Sequence, residues 1–174
     1  MMTHDWFRER LTDAHKKQRT HLYRIIQDLS TDLVEKKVSD EERLPDMLSV
    51  LRHIGNSETY WFHKNGNDLL PPLRTGGLDE VVDHLERVTA AMIEMIRGCS
   101  EEELRVVPPT DERGPSISWC VLRTVQHGIY HAGQLAKMRH MIGAPPLEVD
   151  DAPWNAAVDA PTQIIGALLD ESWK

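Results

Sequence analysis

Apolar residues recur every three or four positions in four long stretches of this chain, which is the spacing of one buried helical face. The first stretch shows the pattern with one polar interruption at Gln18: Phe7, Leu11, Ala14, Leu22, Ile25 and Leu29. No stretch alternates apolar and polar residues with the period of two that a half-buried strand requires. Since an amphipathic helix cannot bury its stripe alone, the pattern predicts an all-α fold, a four-helix bundle.

Turn-forming residues separate the four stretches and set their expected bounds. The second helix should begin after the N-cap Asp46 and end at Asn65. The third should begin at Leu78 and have Gly98 as its C-cap, and the fourth should run from Ser118 to Ile142. A loop or short turn is expected from Ser30 to Arg43. The region from Ala144 to Ala160 is expected to be an irregular tail, followed by a short terminal helix with Ile164, Ile165, Leu168 and Leu169. We predict a single domain, residues 1–174.

Charge and cysteine content exclude several classes of function. The 174 residues carry a formal net charge of −8, which disfavours contact with a phosphate backbone and argues against nucleic-acid binding. The two cysteines, Cys99 and Cys120, form no CxxC pair, so a disulfide scaffold or cysteine zinc site is not expected. With no secretory signal and no apolar run of about 18 residues, we expect a cytoplasmic protein without a membrane partner.

Three of the nine histidines form a candidate metal site. His127 and His131 are four residues apart on the fourth helix, so both imidazoles lie on one face and could share a cation. The third ligand must come from another helix, and His53, beside the apolar positions of the second helix, is the best candidate. Three neutral imidazoles would leave a coordination position open. The alternative is that these are interior histidines satisfied by hydrogen bonds.

Two segments resemble signatures of the DinB/YfiT-like superfamily. One runs from Leu51 to Phe62 and contains His53 and, five residues later, Glu58; the other runs from Trp119 to Gly143 and joins HxxxH to a Gly-Gln pair and a later Arg. The resemblance implies a DinB/YfiT-like four-helix bundle of the up-up-down-down type and a homodimer. It also implies a divalent metal, commonly zinc or nickel, held by His53, His127 and His131.

The chemistry implied by the resemblance is broader. The superfamily includes thiol-dependent transferases and isomerases that use mycothiol, bacillithiol or glutathione, and proteins described as metal-dependent hydrolases. We therefore expect an enzyme whose metal activates a low-molecular-weight thiol or water toward a small-molecule substrate. The alternative is a non-catalytic metal-binding or stress-related bundle protein. The metal, the substrate and the thiol stay open.

Several residues in these segments have two predicted roles. Glu58 lies about 140° around the helix from His53, which is a poor position for binding the same metal. It is expected either to form a structural hydrogen bond or ion pair, or to act as a base or as a group that supports the metal ligands. Gln134 shares the face of the histidine pair and either orients a ligand or makes an internal hydrogen bond. Arg139 either anchors an anionic substrate or forms a surface ion pair, and Gly133 is expected to allow a close approach.

The other expectations concern packing and the surface. The basic first helix, which includes Arg19, is either a solvated face or an attraction for an anionic cofactor. Tyr130 is expected to pack, and His84 to be solvated or to cap a helix. Three aromatic residues are expected in the core or at a dimer interface: Trp61, Phe62 and Trp119.

Overall fold

A computed structural model of the protein describes residues 4–147 and residue 162. Within them the fold is all-α, as predicted. The helices are α1 (His4–Ile26), the single turn α2 (Thr31–Val34), α3 (Met47–Lys64), α4 (Leu78–Gly98) and α5 (Ile117–Met141). The predicted terminal helix and most of the predicted tail lie outside the described residues. None of the described helices combines the length and the apolar character needed to cross a membrane.

Local side-chain chemistry sets the helix starts. The Asp46 carboxylate accepts a hydrogen bond of 2.7 Å from the Ser49 backbone N–H, which confirms it as the N-cap of α3. Ser116, two residues before the predicted start of the fourth helix, caps α5 by accepting from the Trp119 N–H at 3.2 Å. α4 includes Gly98, which the sequence placed at the C-cap, as its last residue, and the C-cap is Cys99.

Contacts along α1 fix the direction of two neighbouring helices. Arg8 donates to the Cys99 carbonyl at 2.8 Å, and Arg19 donates from Nε to the Thr89 hydroxyl at 3.0 Å, so α1 and α4 are antiparallel. The end of α1 lies beside the end of α5, since Arg139 donates to the Ile25 carbonyl at 2.9 Å. α1 and α5 are therefore parallel. α3 runs antiparallel to α5, because Trp61 pairs with Cys120 and His53 with His127.

In chain order the four long helices run up, down, down and up, so the expected up-up-down-down order was wrong. The two parallel consecutive helices are α3 and α4, and residues 65–77 connect them by returning along α3. Asn56 holds this crossover with both ends of its amide: it donates to the Leu73 carbonyl at 2.9 Å and accepts from the Leu73 N–H at 2.8 Å. Arg52 donates to the Gly76 carbonyl at 3.1 Å.

The core has two apolar halves with a polar layer between them. One half surrounds Leu22, Leu51 and Leu135, and the other surrounds Leu11 and Phe62. Along α1, α3 and α4, polar residues lie between the positions that contribute to the two halves. They are the buried His15, Gln18, Arg19 and Glu58 and the half-buried Thr89. Phe62 is in the core as predicted, while Trp61 and Trp119 are half-buried and meet edge to face at 5.0 Å.

The polar layer is organised by an ion pair. Arg19 Nη2 lies 2.5 Å from Glu58 Oε2, and the two side chains are 4% and 0% exposed. The reading of Arg19 as part of a solvated face was wrong. The Thr89 hydroxyl donates to the Leu85 carbonyl at 2.8 Å, so it accepts from Arg19 Nε. The same oxygen accepts from Nε2 of His15 at 3.3 Å, which assigns the proton of that neutral imidazole to Nε2.

We predict that Glu58→Gln destabilises the fold by about 3–5 kcal/mol, because it leaves the Arg19 charge buried without its partner. Urea denaturation followed by circular dichroism measures the loss. Glu94→Gln is the control, since Glu94 pairs with Arg97 on an exposed face and should cost under about 1 kcal/mol. Equal losses in the two variants would contradict the assigned role of the pair.

Candidate metal centre

Antiparallel packing of α3 against α5 brings the three predicted histidines together. His53 Nε2 lies 3.1 Å from His127 Nε2, and His131 Nε2 lies 3.1 Å from the same atom. The three candidate ligand atoms all lie within 4.8 Å of one another. This histidine triad is half-buried at His53 and His127 and buried at His131.

The spacing of the nitrogens fits a shared cation. Two nitrogens bound at about 2.0–2.1 Å lie about 2.9 Å apart at a right angle and about 3.4 Å apart at the tetrahedral angle. The observed 3.1 Å contacts fall between these values. Each of these two contacts therefore fits a pair of nitrogens that bind the same metal ion.

Gln134 fixes the tautomer of one histidine. His131 Nδ1 donates to Gln134 Oε1 at 2.8 Å, so the Nε2 atom of that neutral ring carries a lone pair and no proton. If the two 3.1 Å contacts were hydrogen bonds, both would have to share a single proton on His127 Nε2, because that atom takes part in both. A cation accepts a lone pair from each ring, so the donor set fits a metal better than it fits internal hydrogen bonding.

The surroundings keep the imidazoles neutral. Burial, then the charges of His131, His53 and Arg123, lowers the pKa of His127 from 6.5 to about 4. Burial also lowers the pKa of His53 and of His131. Because a metal competes with protons for these nitrogens, a low pKa favours coordination near neutral pH.

Two sequence predictions near the triad have different outcomes. Glu58 lies in the polar layer and serves an ion pair with Arg19, the structural reading of that residue. Both readings of Arg139 were wrong, because its side chain is buried. The guanidinium donates to the carbonyls of Ile25 at 2.9 Å, Gln27 at 3.1 Å and Pro145 at 2.9 Å. Arg139 thus joins the end of α1 to the segment after α5.

Other expectations were wrong for reasons of packing. Tyr130 is 73% exposed. His84 is buried against Gly55, where an added Cβ would lie 3.1 Å from the imidazole. A Cβ added at Gly133 would meet no other described residue within 4 Å, whereas a Cβ at Gly128 would overlap the Gln18 side chain. Gly128, directly after His127, is thus the glycine that permits a close approach, and its place inside the HxxxH segment was the available signal.

The residues beside the triad were not predicted from the sequence. A cavity of about 400 Å³ is lined by His53 together with Glu41, Arg43, Leu44, Ser49, Arg52 and Asn56. Arg52 directly precedes His53 in the chain, and this adjacency was the one signal in the sequence. Cys120, in contrast, is buried and donates to the Trp61 carbonyl at 3.3 Å, and burial raises its pKa to about 12. It is not a ready nucleophile.

Comparison with known proteins gives one match. A family model described as the DinB superfamily matches residues 14–135, well over half of the chain. The match includes all three histidines of the triad and Gln134. No curated protein and no solved structure matched the chain.

We predict that the metal-free protein loses stability as the pH falls from about 6.5 toward 4. In that window the unfolded chain binds a proton at residue 127 that the folded chain excludes, because the folded pKa of His127 is about 4. Urea midpoints measured across this range should fall less steeply for His127→Asn than for the natural sequence. Identical slopes would contradict the lowered pKa.

Proposed function

Since the chain belongs to the DinB superfamily, we propose that it is a metal-dependent enzyme whose triad of His53, His127 and His131 holds one divalent cation. The convergence of three Nε2 atoms, with contacts of 3.1 Å, is the observation that carries the proposal. Zinc and nickel are the candidates, because both accept imidazole ligands.

A divalent metal held by three imidazoles lowers the pKa of a thiol or water that binds it and so supplies a nucleophile at neutral pH. The protein residues have separate tasks. Gln134 keeps the proton of His131 on Nδ1, which directs Nε2 into the site. The neutral ligands add no negative charge, so the positive charge remains available to an anionic reactant. Among the described residues that line the adjacent cavity, Glu41 is the one carboxylate, and it could accept a proton from a bound reactant.

We favour transfer of a low-molecular-weight thiol such as mycothiol, bacillithiol or glutathione over hydrolysis. The substrate is a small molecule, and the protein is proposed to act as a cytoplasmic homodimer. Support for catalysis over a purely structural metal comes from the donor set. Among the described residues, the cluster contains three ligands and no fourth that would close the coordination sphere. A fourth ligand would instead support the non-catalytic alternative.

Elemental analysis of protein purified without a metal-affinity tag should find about one divalent metal per chain. His127→Ala and His131→Ala should lose it, because two ligands rarely hold a cation. His63→Ala is the matched control, since that exposed histidine pairs with Asp68 at 2.7 Å. A chain that carries no metal and takes up none on titration would overturn the proposal.

Gln134→Ala should weaken metal affinity by about 10–100-fold, because His131 loses the acceptor that fixes its tautomer. Competition with a chelator measures the change. Gln126→Ala, at an exposed position of the same helix, should bind metal as the natural sequence does. Unchanged affinity in Gln134→Ala would show that the hydrogen bond does not support the site.

A further inference from the structure

The cavity beside His53 contains two cationic side chains without anionic partners. Arg43, in the connection before α3, and Arg52, on α3, both line it. In the part of the chain that the structure describes, neither guanidinium has an ion-pair partner within 4.0 Å. The arginines that do have such partners include Arg19, which is buried, and Arg8 and Arg97, whose partners are exposed. Two unpaired arginines in one cavity are free to bind an anion.

Arg52 is held in position for this task. Its Nη2 donates to the Gly76 carbonyl at 3.1 Å, so the crossover between α3 and α4 supports the guanidinium from one side. Its Nε is buried and has no hydrogen-bond partner among the described residues. Arg52 thus presents a fixed, planar donor group next to the first histidine of the triad.

The remaining walls limit the charge and the size of a ligand. Asn56 is held in the cavity wall by its two hydrogen bonds to the Leu73 backbone. Glu41 contributes one negative charge, which with two arginines leaves the lining at a net single positive charge. The positive lining favours an anionic ligand, and the planar guanidinium of Arg52 matches a carboxylate in a bidentate pair. The volume of about 400 Å³ lies within the range of small-molecule sites.

We propose that Arg43 and Arg52 form a carboxylate-binding subsite that holds a small anionic reactant while its reacting group reaches the histidine triad. This inference rests on the proposed function, because the triad must hold a metal for the reactant to have a second point of attachment. It narrows the reactant to a molecule that carries a carboxylate within a few bonds of its thiol or other reacting group.

The test uses the full chain loaded with Co²⁺, whose thiolate charge-transfer absorbance reports a sulfur ligand directly. The probes are mercapto-carboxylates of increasing chain length, each matched with the mercapto-alcohol of the same length. At one length or more, the carboxylate should bind at least about tenfold more tightly than its alcohol, as a charge-assisted hydrogen bond would provide. Arg52→Gln and Arg43→Gln should each reduce this preference and leave binding of the alcohol unchanged.

Arg74→Gln is the control, because Arg74 is an exposed arginine of the crossover outside the cavity lining, and it should keep the full preference. Cobalt titration of each variant verifies that the triad is intact. If cobalt binds but the carboxylates and alcohols bind equally at every length, the subsite is overturned and the proposed metal site stands. If no cobalt binds, both are overturned.

Discussion

The buried pair of Arg19 and Glu58 is the interaction on which the rest of the structure depends. It places a charged layer between two apolar halves of the core and joins α1 to α3, while Thr89 joins the same guanidinium to α4. A buried ion pair contributes little net stability, but its geometry tolerates few alternatives, since either charge alone would be costly. The pair therefore favours one register of the three helices over others.

The fourth long helix is fixed at the same layer by close packing. Gly128 of α5 lies against the Gln18 side chain of α1, with no room for a Cβ. This approach holds the neighbouring His127 across from His53, and Gln134 then orients His131. The alignment of the histidine triad thus depends on the polar layer: the register that pairs Arg19 with Glu58 also aligns the imidazoles of two antiparallel helices. Next to it, Arg43 and Arg52 give an acidic protein a locally positive cavity.

The sequence predicted the parts of this structure that depend on local patterns. The stripes identified four helices, Asp46 was recognised as a cap, and the HxxxH spacing with His53 anticipated the convergence of the triad. The directions of the helices depend on the path of residues 65–77. Asn56 sets that path through its hydrogen bonds to Leu73, and such contacts produce no periodic pattern in the sequence. Arg139 was misread for a similar reason: its partners are carbonyls at the end of α1, more than a hundred residues away in the chain. The cavity arginines were missed because only the tertiary fold places a loop residue beside one from α3.

The most direct test of the proposed metal centre is X-ray absorption spectroscopy of the full chain after it has been loaded with a divalent metal, measured at the edge of that metal. We predict three imidazole nitrogens at about 2.0–2.1 Å, with the remaining scattering from light, exchangeable ligands and no sulfur from the protein. Adding a thiol should bring one sulfur into the spectrum without displacing an imidazole. A protein sulfur ligand, or a fourth imidazole that closes the site, would contradict a centre built by His53, His127 and His131.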